Sequence, residues 1–147
     1  MRAVILVIVM VMTLASSASA FKLGGLFGGD EKKSSAPAEG SKANDYFIEA
    51  RRAYGSASYP KVIEQTTLAI KESPKFAAAY ALRGKANKDM GDVDSAMKDL
   101  NHAIELDPSQ GEPYFIRAQA HEINGEMKEA KKDYADACKK GYKDACK

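Results

Sequence analysis

A self-similarity at a shift of 34 residues constrains this chain more than any other feature. Under that shift Tyr46, Tyr80 and Tyr114 fall in register, as do Ala69, Ala103 and Ala137. Pro74 meets Pro108, Gly91 meets Gly125, and Ala96 meets Ala130. A fixed period of roughly 20–50 residues marks an array in which each copy buries its apolar face against its neighbours. About three copies are the minimum for such an array to be stable, and this chain has three.

Each copy reads as two helices. In the second unit, apolar spacing predicts a helix over 77–90, ended by Gly91, which can take the left-handed conformation. Asp92 is placed to cap a second helix over 93–106, and Pro108 stops it. In the third unit Pro113 suits the first turn of a helix, and Asn124-Gly125 is a stop signal. The first unit is the loosest copy. It has Ala57 where the others have glycine, and its Gly55 comes two residues early, which predicts a different loop there. Pro60 is expected to open its second helix.

The registered positions carry the packing logic. Ala50, Gly84 and Ala118 coincide, and Val62 coincides with Ala96 and Ala130. Small residues let helices approach toward the short end of the usual 8–10 Å spacing. The three tyrosines supply large amphipathic filling at one shared place.

The pattern of Tyr80, Gly84, Gly91-Asp92, Ala96 and Ala103-Ile-Glu-Leu-Asp-Pro108 resembles the tetratricopeptide repeat, and the resemblance extends over about 43–144. It implies an all-α fold, a right-handed superhelical array of three antiparallel helix pairs, with units at 43–76, 77–110 and 111–144. It also implies that the first helix of each pair lines a concave groove that binds a peptide or protein segment. On the family pattern the groove-facing positions are Asn44, Phe47, Arg51 and Tyr54, then Ala78, Ala81, Lys85 and Lys88, then Glu112, Phe115, Gln119 and Glu122. Phe47, Arg51, Tyr54, Lys85, Lys88, Phe115 and Gln119 are the contact candidates. They suit an extended segment that mixes acidic and apolar side chains, or else the charges are a solvated helix face. The Lys and Asn set that clamps a C-terminal carboxylate in some chaperone-binding members is absent. Phe47 and Leu82 occupy two of its places, and Glu112 reverses the charge at another.

Two charged pairs repeat with the array. Arg83 and Asp99 have the same spacing as Arg117 and Asp133, and the first unit replaces both members together, with Glu49 and Gln65. That joint replacement points to structural ion pairs, either across each helix pair or to the neighbouring unit. His102 and His121 fall on different helices. A metal site from them with Cys138 and Cys146 would need four ligands converging across two units. No metal and no cofactor are expected.

Cys138 and Cys146 would stand ~12 Å apart on one continuous helix, too far for a disulfide, which needs Cα atoms within about 7 Å. Gly141 between them can break the helix and turn the chain back. The alternatives are a bridge and two separately packed thiols. Ala137-Cys-Lys-Lys-Gly-x-x-x-Ala-Cys146 also resembles the Sel1-like repeats of secreted bacterial proteins, and that resemblance implies a bridge between adjacent segments. Such a bridge would staple the stub around 144–147 against the last helix, in place of a capping helix. The open end offers a second possibility, a homodimer.

The first twenty residues carry an early Arg2, an apolar run over 3–14 and the small-residue series Ala18-Ser19-Ala20, the marks of a cleaved signal peptide. The apolar run is shorter than the ~20 residues that span a bilayer, so a membrane is reached only if the segment stays uncleaved. Residues 21–42 are Gly-, Ser- and Lys-rich and read as a linker. Phe21, Leu23, Leu26 and Phe27 form either part of that spacer or a docking motif. The expected location is periplasmic or secreted. A net charge of +2 gives no case for nucleic acid. No nucleophile–base signature, phosphate loop or Cys-x-x-Cys is present, so an enzyme is not expected. The expected function is an exported interaction module or adaptor. A self-associating envelope protein is the alternative, and a cell-wall-active enzyme of Sel1-like type the weaker one.

Overall fold

A computed structural model describes residues 36–146. The expected signal peptide, the Phe21–Phe27 motif and most of the expected linker lie outside the described residues. Six α-helices follow in sequence: α1 (Lys42–Gly55), α2 (Tyr59–Glu72), α3 (Ala77–Asp89), α4 (Val93–Leu106), α5 (Gly111–Ile123) and α6 (Met127–Lys139), with a short 3-10 turn at Lys143–Ala145. The helices pack as three pairs, α1 with α2, α3 with α4 and α5 with α6. α2 carries α3 and α4 carries α5, so the pairs stack into an all-α solenoid.

The helix boundaries follow from the residues at them. Ser41 accepts a hydrogen bond from the Asn44 amide and Asp92 one from the Ser95 amide, each satisfying an orphan donor at a helix start. Pro60 lies in the first turn of α2, where its missing N–H is harmless.

The loops inside the pairs correct one expectation. The first loop is not a different one. The amides of Ser58, Asp92 and Glu126 donate to the carbonyls of Ala53, Asn87 and His121, the same bond in all three units. Gly91 (φ 86°) and Gly125 (φ 79°) take the left-handed conformation that this closure requires. Ala57 takes it as well, at φ 51°, as the sole non-glycine residue with positive φ among the described residues. Closure of the helix pair overrides the local cost of a Cβ in that region.

The core runs through the small registered positions. Ala50, Ala118, Ala96, Ala69, Ala103 and Ala137 are fully buried. Gly84 marks the tightest approach. A Cβ added there would lie 2.9 Å from Leu100 Cγ and 3.1 Å from the Ala96 carbonyl oxygen. Leu82 packs into the first pair beside Ala50, Val62 and Tyr54. Its counterpart Ile116 packs on Ala96 and Leu100 of the second.

Candidate functional site

Two bidentate ion pairs brace the pairs from within. Arg83 donates from Nε to Asp99 Oδ2 at 2.8 Å and from Nη2 to Oδ1 at 2.7 Å. Arg117 does the same to Asp133, at 2.7 and 2.8 Å. Both aspartates are buried. The pairs are therefore intra-unit, one of the two arrangements the spacing allowed. The remaining nitrogen of each guanidinium crosses to the preceding unit. Arg83 Nη1 reaches Thr67 Oγ1 at 3.1 Å, and Arg117 Nη1 reaches Asn101 Oδ1 at 2.6 Å. Asn87 also donates to Asp99, at 3.3 Å. Its counterpart His121 lies with Nε2 3.6 Å from Asp133 and with Nδ1 against Glu126. The histidine thus supports a buried carboxylate. The register of His121 with Asn87 carried that signal, since the second and third units both keep the aspartate.

Six of the seven contact candidates divide between two clefts, and Lys88 lines neither. A cleft of about 570 Å³ is lined by Phe47, Arg51, Tyr54, Ala78, Ala81 and Lys85, and its walls also include Ala36 ahead of α1, Phe76, Leu82, Asp107, Glu112 and Pro113. Phe115 and Gln119 line another, of about 800 Å³, between α5, α6 and the C-terminal turn. Tyr134, Cys138 and Cys146 also face that second cleft. Phe115 is covered by Tyr142, with ring centroids 4.8 Å apart, an aromatic partner contributed by the loop after α6. Burial pushes the Tyr142 phenol up, and neighbouring Glu112 adds to the shift.

The charges of the groove are largely spoken for. Lys85 Nζ lies 3.0 Å from Glu112 Oε1 and 4.9 Å from the centre of the Tyr54 ring. Lys88 Nζ reaches Gln119 Oε1 at 2.8 Å and Asp89 Oδ1 at 3.1 Å. The Tyr54 hydroxyl donates to Asp89. Burial first, and that carboxylate second, push its pKa well above the usual phenol range. Asp89, Glu112 and Gln119 thus join the first helices to one another. Arg51 is exposed, and no ion pair to it appears among the described residues.

At the C-terminal end the chain turns back after α6. Cys138 and Cys146 stand with Cα atoms 5.0 Å apart and their sulfur atoms joined. Gly141, at φ 85°, makes the reversal. No group of three or more metal-ligating side chains occurs among the described residues.

Comparison with known proteins agrees with this architecture. The tetratricopeptide repeat family model matches residues 77–110 and 111–139, the second and third units. The chain is 33% identical over 94 residues to a yeast small glutamine-rich tetratricopeptide repeat-containing protein 2, covering 64% of this chain and 27% of that one. It is 29% identical over 111 residues to Drosophila melanogaster Hsc70-interacting protein 1, covering 76% and 29%. The chain thus spans less than a third of the length of these curated relatives. Among solved structures, the TPR2B domain of yeast Sti1 in a pHsp70 complex superposes with a TM-score of 0.65 at 27% identity, covering 67% of this chain and 79% of that one. The second TPR of Spaghetti (RPAP3), bound to an HSP90 peptide, gives 0.65 at 26% identity, covering 67% and 91%.

Proposed function

The chain is a tetratricopeptide repeat protein, and on that premise we propose that it is an exported adaptor whose concave cleft captures an extended segment of another protein. The observation that carries this reading is the 570 Å³ cleft between the first helices, apolar in its floor and edged by the exposed Arg51. A concave, mostly apolar site with a few placed polar groups is the usual form of a recognition surface. The solved relatives in complex with pHsp70 and with an HSP90 peptide support a peptide as the ligand class. A chaperone C-terminal peptide is not the ligand proposed here. By the family resemblance, Phe47 and Leu82 stand at two places of the carboxylate clamp and Glu112 reverses the charge at a third. The signal-like first twenty residues support export, and a periplasmic location follows from them as part of the same proposal.

The test is cross-linked capture from cell envelopes with the tagged full chain, run beside Arg51→Glu. A reproducible partner that depends on Arg51 supports the adaptor. Capture that is indifferent to Arg51→Glu, or recovery of the bait alone, overturns it.

One observation favours a second reading, self-association through the α5–α6 end. The 800 Å³ cleft there is lined in part by Phe115 and Tyr134. A sedimentation mass that stays monomeric as concentration rises would eliminate it.

A further inference from the structure

Positions 47, 81 and 115 share one place in the repeat, and they differ in a way that shapes the cleft. Units one and three carry phenylalanine there. Each ring is covered by an aromatic from the loop after its own second helix: Phe76 on Phe47 at 4.7 Å, and Tyr142 on Phe115 at 4.8 Å. The second unit carries Ala81, and its following loop supplies Gln110. Where each outer unit places two rings against one another at this position, tilted rather than parallel, the middle unit leaves a floor of Ala78 and Ala81. That vacancy is an internal one, measured against the protein's own repeats.

Charge narrows the ligand further. Lys85 is matched by Glu112 and Lys88 by Asp89. Arg51 edges the same cleft as Ala81, is exposed, and has no ion pair among the described residues. Guanidinium groups favour planar, bidentate carboxylates. Toward the C-terminal end, Tyr142 already occupies the space over Phe115.

We propose that the cleft recognises a two-part determinant on a protein segment: one bulky apolar side chain seated on the Ala78–Ala81 floor, and one carboxylate beside it held by Arg51. This rests on the peptide-binding reading above and adds the chemistry of the ligand. The footprint covers the first two units and the start of α5 at Glu112 and Pro113, and stops where Tyr142 meets Phe115. Ala81 is then the specificity-determining position, because its missing side chain makes the room.

The probe is a random heptapeptide display library selected on the tagged full chain. Peptides carrying Asp or Glu within two positions of Phe, Leu, Ile or Met are expected to be enriched. The leading synthetic peptide is expected to lose at least ten-fold in affinity on Ala81→Phe, which restores the residue used in the outer units, and on Arg51→Glu. Ala78→Leu fills the same floor from one turn away and gives a second variant if the first folds poorly, as judged by circular dichroism. A peptide lost on Arg51→Glu but retained on both floor variants overturns the two-part determinant and leaves the groove reading standing. A peptide indifferent to all three variants binds elsewhere and overturns both. Enrichment of basic peptides, or of none, overturns the determinant.

Discussion

Arg83 Nε and Nη2 grip the two oxygens of Asp99 at 2.8 and 2.7 Å, while Nη1 of the same side chain reaches Thr67 in the unit before. One planar group thus serves two purposes, neutralising a buried carboxylate and tying two repeats. Removing Arg83 leaves Asp99 buried without its counter-ion and with only the Asn87 amide donating to it, a change that costs about 3–5 kcal/mol for fully buried pairs. The pair keeps some exposure, 22% at Arg83, so a value near the low end is expected. Arg83→Lys is expected to recover less than half of the loss, because an ammonium cannot reproduce the three-way fork. Urea unfolding of Arg83→Ala, Arg83→Lys, Asp99→Ala and the double variant Arg83→Ala with Asp99→Ala measures this. A double variant as unstable as the sum of the singles would show that the two residues do not interact.

Gly84→Ala sets two effects against each other. Helix propensity favours alanine by about 1 kcal/mol. A Cβ at this position meets Leu100 Cγ at 2.9 Å and Asp99 Cβ at 3.2 Å, and overpacking costs about 1–3 kcal/mol. The backbone of Ala96 closes the remaining side at 3.1 Å, so relief by a flexible chain end is small. Net destabilisation is expected in thermal melting, although Ala50 and Ala118 are accommodated at the matching positions of the other units.

The loop residue Ala57 predicts the opposite sign. A non-glycine residue in the left-handed region costs about 1–2 kcal/mol, and glycine removes that cost while adding back some chain entropy, about 0.5–1 kcal/mol. Ala57→Gly is expected to raise the unfolding midpoint slightly, and Gly125→Ala to lower it. A lower midpoint for Ala57→Gly would show that entropy outweighs the relief.

Alkaline pH is expected to weaken the fold through its phenols. Burial and the bond to Glu122 push Tyr134 up to about 12, from an ordinary value of 10.0. Tyr54 is raised further by burial and Asp89. Below pH 10 both states keep these protons, so their contribution is fully present and does not vary with pH. Between 10 and about 12 the unfolded chain releases the Tyr134 proton first, so stability falls as pH rises. Tyr134→Phe with Tyr54→Phe is expected to flatten that slope in chemical unfolding. Ultraviolet titration of the tyrosinates reads the same shift directly.

We expect the Cys138–Cys146 bridge to persist under oxidising conditions and to hold the C-terminal turn on α6. The chain-entropy estimate for so short a loop is about 2–3 kcal/mol. Cys146→Ser is expected to lower the melting temperature in oxidising buffer and to change nothing under reduction. An unchanged melt in oxidising buffer would eliminate the staple.

Much of this could be read from the residues because the repeat compares the protein with itself. Asp92 and Pro108 bounded α4, and the joint replacement of Arg and Asp by Glu49 and Gln65 disclosed the ion pairs. The cross-unit contacts were harder. Lys85 with Glu112 and Lys88 with Gln119 depend on how long side chains settle between helices of different units, which a periodic pattern does not encode. Ala57 was misjudged because local preference pointed away from a conformation that pair closure imposes. Tyr142 was missed as the cover of Phe115 because it arrives from a loop outside the helical pattern.

The contacts between units also bear on how the groove meets a ligand. At the first joint Tyr54 holds Asp89 and Arg83 holds Thr67. At the second, Lys85 and Lys88 hold Glu112 and Gln119 while Arg117 holds Asn101. A single fastening between two stacked bodies is a pivot, whereas two separate fastenings fix the angle. The curvature of the concave face is therefore set before any segment arrives, and little of the binding energy is spent on bending the receptor into shape.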